Sequence, residues 1–170
     1  MSKNPTGLPR LPLKLSALQV IGLRDPNEGD WARLRALQYS ELHKASRIRL
    51  AAHGLAAIMA VSLFVGTLPA WILGLWLLFV VGGVANVGRV DRTFIDVEKR
   101  TMVEEEFRRQ AAAVAICAVP WVVALLFFVP YGNDAQHFGL WTLAAMLVAG
   151  SAATSSSAPV ATIVFDLVVG

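Results

Sequence analysis

Most of this chain has no basic side chains. All 15 Lys and Arg fall in residues 1–49 and 88–110, nine in the first segment and six in the second. The other 98 of the 170 residues have none, and only two of the 12 acids, Asp134 and Asp166, lie there. A soluble domain is about a quarter charged and spreads that charge over every exposed face. Here 16% of residues are charged and 56% hydrophobic, with a mean hydropathy of +0.58. The same balance excludes a disordered chain, which combines low hydrophobicity with high net charge. Cysteine is almost absent: Cys117 stands alone, so no disulfide forms within the chain, and Cys/His metal-ligand spacings are missing.

Motifs that carry chemistry are missing as well. Gly82, Gly83 and Gly88 have neither GxGxxG nor Walker spacing and fall in an apolar run. There is no GxSxG or HExxH. His43, His53 and His137 are scattered through different surroundings. No catalytic residue, metal or cofactor is expected. The formal net charge of +3 does not point to nucleic acid, because in a membrane chain a local basic excess reports topology and attraction to anionic lipid.

What the chain does have is long apolar runs. A bilayer core of about 30 Å takes roughly 20 apolar residues in a helix. Four runs approach that length: about 50–68, 71–87, 111–129 and 138–153. A fifth, 160–170, is too short to cross. The expected fold is all-α: a polytopic membrane helix bundle of four full transmembrane helices and a truncated fifth. Pro120 sits in the middle of the third run, where a missing backbone N–H predicts a kink. The fifth run implies either a fragment of a longer protein or a re-entrant piece packed among the other helices.

Lys and Arg set the orientation. The N-terminal arm and the 88–110 connection must share a side, and both are rich in them; the opposite loops, at 69–70 and 130–137, have none. The positive-inside rule places the N-terminus and the connection in the cytoplasm. No cleavage site follows the apolar residues 15–23, and residue 2 is Ser, which excludes myristoylation.

Residues 1–29 read as a flexible arm and 30–170 as the bundle. Asp30 is an N-cap for a helix whose Trp31, Leu34, Leu37, Leu42, Ala45 and Ile48 recur at near-helical spacing among five basic residues. This is an amphipathic helix, expected on the membrane surface, with partner binding as the alternative. The 88–110 connection holds six basic and six acidic residues. Asp96/Arg100, Glu104/Arg108 and Glu105/Arg109 have the acid four residues before the base, as in a solvated helix. Its alternative role is a docking surface.

Two features inside the spans invite function. Asp166 lies about 9 Å deep and His53 roughly 5 Å deep in the same leaflet at 1.5 Å rise per residue. The expectation is an intramembrane polar pair, against local satisfaction of each group. Ala145, Ala149, Ala153 and Ser157 form a small-residue stripe at four-residue spacing. Such a stripe suits close helix packing, within the bundle or in a homodimer.

The RLRALQYSELHK helix (33–44), the Trp71…Trp76 span, ICAVPW (116–121) and LWTLAAMLVAGSAATSSSAP (140–159) together resemble the N-terminal multi-pass membrane sensor regions of alphaproteobacterial signalling proteins. The resemblance covers residues 31–165. In that family the membrane region precedes a diguanylate cyclase, a cyclic-di-GMP phosphodiesterase or a histidine kinase. It therefore implies a sensory input module, with the lipid bilayer as its surroundings and a missing C-terminal output domain as its partner. The rival expectation is a structural accessory subunit of a larger membrane complex. A transporter is weaker, with too few buried ionisable groups to build a pathway.

Overall fold

The computed structural model describes residues 31–95, 104–154 and 159–169. Among these the secondary structure is helical, apart from turns and one isolated bridge between Val65 and Leu68. The helices are α1 (Trp31–Phe64), α2 (Ala70–Arg92), α3 (Glu104–Phe127), α4 (Asp134–Thr154) and α5 (Pro159–Val169), with a 3-10 turn at Val129–Tyr131. Among the described residues, three segments are long and apolar enough to cross a bilayer: Lys44–Phe64, Ala70–Arg92 and Arg108–Tyr131.

α1 departs from the expectation of a separate surface helix followed by a span. It runs unbroken for 34 residues, about 51 Å at 1.5 Å per residue. The physical reason is local: no Pro and no cap residue in a non-helical conformation interrupts the chain between Trp31 and Phe64, so propagation costs less than a new start. The first half of α1 is anchored by tertiary packing. Tyr39 is buried edge-on against Phe94, just past the end of α2, with ring centroids 5.2 Å apart. α2 extends to Arg92, five residues beyond the predicted span, so the start of the charged connection is helical, as its ion-pair spacing suggests. Residues 96–103 of that connection lie outside the described residues, as does the Asp96/Arg100 pair.

The helices form a closed ring in the order α1, α2, α3, α5, α4 and back to α1, each packing on its two neighbours. α3 and α4 face each other across it with little contact. Small residues let the backbones approach: Ala56, Ala57 and Ala60 on α1, and Ala113, Ala118 and Ala124 on α3, are all buried. Between α2 and α3 the approach is closest at Gly83. A Cβ there would lie 3.0 Å from the Cys117 Cα.

Aromatic contacts fill the half of the ring nearer the short turns. Trp76 meets Trp121 and Phe128 edge-on at 5.5 and 5.4 Å, and Phe64 packs on Phe128 at 5.3 Å. Pro120 lies inside α3, as its sequence position requires. The Trp76 indole N–H donates to the Pro120 carbonyl at 2.7 Å, tying α2 to α3 beside the proline.

The turns have their own polar logic. Gly66, at φ +87°, reverses the chain between α1 and α2. Asn133 and Gln136 cap α4 reciprocally: the Gln136 N–H donates to Asn133 Oδ1 at 3.0 Å, and the Asn133 N–H to Gln136 Oε1 at 2.8 Å. Gln136 Nε2 also donates to the Leu63 carbonyl (2.6 Å) and to Thr67 Oγ1 (2.8 Å), fastening the two turns together.

Candidate functional site

The most unusual chemistry lies at the opposite end of the ring, where α1, α2 and α3 come together. Ser46, Arg49 and His53 follow one another at three- and four-residue intervals, so all three fall on one face of α1. α2 returns antiparallel and brings Asp91, in its last turn, alongside that face. α3 then brings Gln110 to the same level.

Asp91 is the hub. Its Oδ2 accepts from the Ser46 hydroxyl and from Arg49 Nη2, and its Oδ1 accepts from Gln110 Nε2 at 2.8 Å. Three helices thus meet on one carboxylate. All four residues are buried: Gln110 is 0% exposed, Asp91 1%, Ser46 6% and Arg49 8%. Taking two charges out of water costs several kcal/mol per ion, and their attraction offsets this only when the remaining polar atoms are also bonded. On the Asp91 side they are. On the other side they are not: Arg49 Nε and Nη1 and Gln110 Oε1 are buried without hydrogen-bond partners. The ion pair is complete while its outer edge is open.

His53 lies one turn further along the same face of α1. The imidazole is buried, 6% exposed, and its Nδ1 also has no partner. Its ring lies edge-on to Phe165 of α5 at 5.5 Å and tilted against Trp121 of α3 at 6.1 Å. Arg49 and His53 together line two small cavities. One, about 20 Å³, points into the ring towards Cys117 and Phe165. The other, about 80 Å³, is a cleft between α1 and α4, with Arg49, His53 and Ser151 among the buried residues lining it and Ile48, Met146 and Gly150 at its exposed rim.

The residues singled out from sequence fall as follows. His53 is in this site. Asp166 is half-buried on α5 with Oδ1 unpartnered, and no hydrogen bond joins it to His53; its neighbour Phe165 meets the histidine instead. Ala145, Ala149 and Ala153 lie exposed on the outside of α4 and make none of the ring's buried contacts, and Ser157 lies outside the described residues. Among the described residues, no group of three or more His, Cys, Asp and Glu is placed to hold a metal ion.

Arg49, Asp91, Ser46 and Gln110 were not expected from sequence as site residues. A signal was present, however. Each lies within or beside an apolar span, and an acid and a base at the same end of adjacent antiparallel helices are positioned to pair. Comparison with protein-family models, curated proteins and solved structures finds no match to this chain.

Proposed function

We propose that this chain is the membrane-embedded regulatory input of a bacterial signalling protein, in which the Asp91 node holds one arrangement of α1, α2 and α3. In this reading α4, 21 residues and about 31 Å long, makes a fourth crossing. α5 packs as a partial fifth against α3 and α4. The N-terminus and the 88–110 connection face the cytoplasm, where the helix ends beyond the node pass a change in packing to an output domain.

One observation carries this reading: the node is half-satisfied. A purely structural clamp does best with every buried donor bonded, since each orphan costs about 1–3 kcal/mol. Here Arg49 keeps two unpartnered nitrogens and His53 one, next to a cleft. Such a node stabilises one packing while leaving groups that a second packing or a ligand satisfies, which is what a two-state element needs.

Hydrogen–deuterium exchange of the chain in lipid nanodiscs tests this. Asp91→Asn should raise exchange at the node ends of α1, α2 and α3 (31–49, 84–95 and 104–112) while the turn-end halves stay protected. A uniform rise along every helix would indicate a global clamp and no switch. An unchanged pattern would remove the node from the account.

A structural accessory subunit is the second reading. The outward face of α4 with Ala145, Ala149 and Ala153 favours it, because small exposed residues at four-residue spacing accept a helix from another chain at close range.

A further inference from the structure

We infer that two copies of this chain associate side by side in the membrane through the outer face of α2 and α3, with Asn86 of each bonded to Asn86 of the other across a two-fold axis. The inference stands apart from the regulatory reading and starts from a side chain that the ring leaves unsatisfied. Asn86 lies within the α2 span, half-buried, and among the described residues its carboxamide makes no hydrogen bond. A polar side chain without a partner is costly in hydrocarbon, and helices in lipid recover that cost by bonding across to one another.

Helical spacing places Asn86 on a particular side of α2. It follows Gly82, Phe79 and Leu75 by four, seven and eleven residues, so the four positions share one face. Leu75, Phe79 and Gly82 are exposed and line a groove of about 830 Å³ between α2 and α3. The ring uses another side of the helix, where Leu73, Trp76, Val80 and Val87 are buried. With Ile72, which also lines the groove, positions 72, 75, 79, 82 and 86 keep the alternating three- and four-residue step of a helix–helix seam. A single Asn in such a seam fixes the register and the number of chains.

Area and polar complementarity both fit a second copy. The rings of Trp71, Phe79, Phe127 and Tyr131 in the groove are 61–70% exposed. At about 150–250 Å² for each aromatic side chain, they present roughly 400–650 Å². The exposed aliphatic residues beside them bring the face to about the 800 Å² per partner of a standard interface. A Cβ on Gly82 meets nothing within 4 Å, so another backbone can approach closely there. A carboxamide needs both an acceptor and a donor. Acyl chains supply neither and a lipid ester only the acceptor, whereas Asn86 of the partner subunit, at the same depth by symmetry, supplies both. Arg89, the next position of the seam, is exposed and repels its own copy, so the two helices splay there and cross at Gly82.

The test is energy transfer between donor- and acceptor-labelled whole chains, co-reconstituted in phosphatidylcholine vesicles over a range of lipid dilutions. Labels go on the exposed position 47, as Arg47→Cys in a Cys117→Ser background. Transfer should exceed random proximity and persist on dilution. Asn86→Leu should raise the dissociation constant of the dimer roughly 3- to 30-fold, and Asn86→Gln, which keeps a donor and an acceptor, should restore much of the affinity. Gly82→Leu should abolish the dimer. Gly54→Leu, equally open but on the outside of α1, should leave it intact. Helix content by circular dichroism should match the parent in every variant.

Transfer at the random level in the parent would leave the groove to lipid chains and overturn the assignment. So would a dimer as tight in Asn86→Leu or Gly82→Leu as in the parent. A dimer broken by Ala149→Leu and untouched by Asn86→Leu would move the interface to α4 and overturn it equally.

Discussion

Asp91→Ala removes the acceptor of three donors at once. Arg49 is left 8% exposed with no countercharge, and Ser46 and Gln110 lose the carboxylate they bond. Stripping one partner from a buried ion pair costs about 3–5 kcal/mol, and two orphaned neutral donors add about 1 kcal/mol each at the low end of their range. From the lower ion-pair figure the loss is roughly 5 kcal/mol. At about 2–4 °C per kcal/mol for a chain of this size, the midpoint should fall by roughly 10–20 °C. Arg49→Met/Asp91→Leu removes both charges and keeps the volume, leaving only the two orphaned neutral donors at about 1 kcal/mol each, so its midpoint should fall by only roughly 4–8 °C. The chain supplies its own reporter: Cys117 is its sole cysteine and is buried, so a thiol-reactive fluorogenic dye in detergent lights up as the bundle opens. An Asp91→Ala midpoint within about 2 °C of the parent, or a double variant as unstable as the single, would refute the reasoning.

Four further outcomes follow from the packing. Trp76→Phe keeps the aromatic contacts but loses the indole N–H bond to the Pro120 carbonyl, and should cost about 1 kcal/mol in the same dye assay. Gln136→Ala keeps the Asn133 cap but removes the bond from the Asn133 N–H to Oε1 and both bonds to the α1–α2 turn, for a loss of about 1–2 kcal/mol, read as a lowered melting midpoint. Gly83→Leu forces α2 off Cys117; overpacking of this kind costs about 1–3 kcal/mol, and the variant should also label faster at Cys117 at 25 °C. Ala149→Leu, exposed on α4, should leave the midpoint within about 0.5 kcal/mol of the parent, while sedimentation in detergent shows whether it breaks an association through that face.

Apolar runs made most of the helices legible from sequence, because burying an unsatisfied backbone in lipid leaves helix as the only economical choice. The two short turns were legible for the same reason, but not their bounds: expected at 69–70 and 130–137, they lie at 65–69 and 128–133, because Gly66 ends the first helix early and Asn133 caps the fourth four residues sooner. Asp91 and Arg49 were not. At the ends of apolar runs they look like ordinary topology markers, and nothing local says that α1 and α2 continue together far enough to bury them. That depends on the register of two helices 42 residues apart in sequence. The pairing of His53 with Asp166 rested on depth alone, but each step along a helix turns the side chain by about 100°, and that rotation sets Phe165 against the imidazole. The alanine stripe had the right spacing for packing, yet spacing alone does not say which side of a helix the ring will use.

The central claim, that the Asp91 node selects one arrangement of α1 and α3, is tested most directly by a spin-label distance. In a Cys117→Ser background, labels at the exposed positions 47 and 105, introduced as Arg47→Cys and Glu105→Cys, report the separation of α1 and α3 beside the node. With Asp91 intact the distribution should show one dominant distance. With Asp91→Asn, a second, resolved distance should rise at its expense while the helix content stays the same. The same single narrow distribution in both proteins would contradict the account.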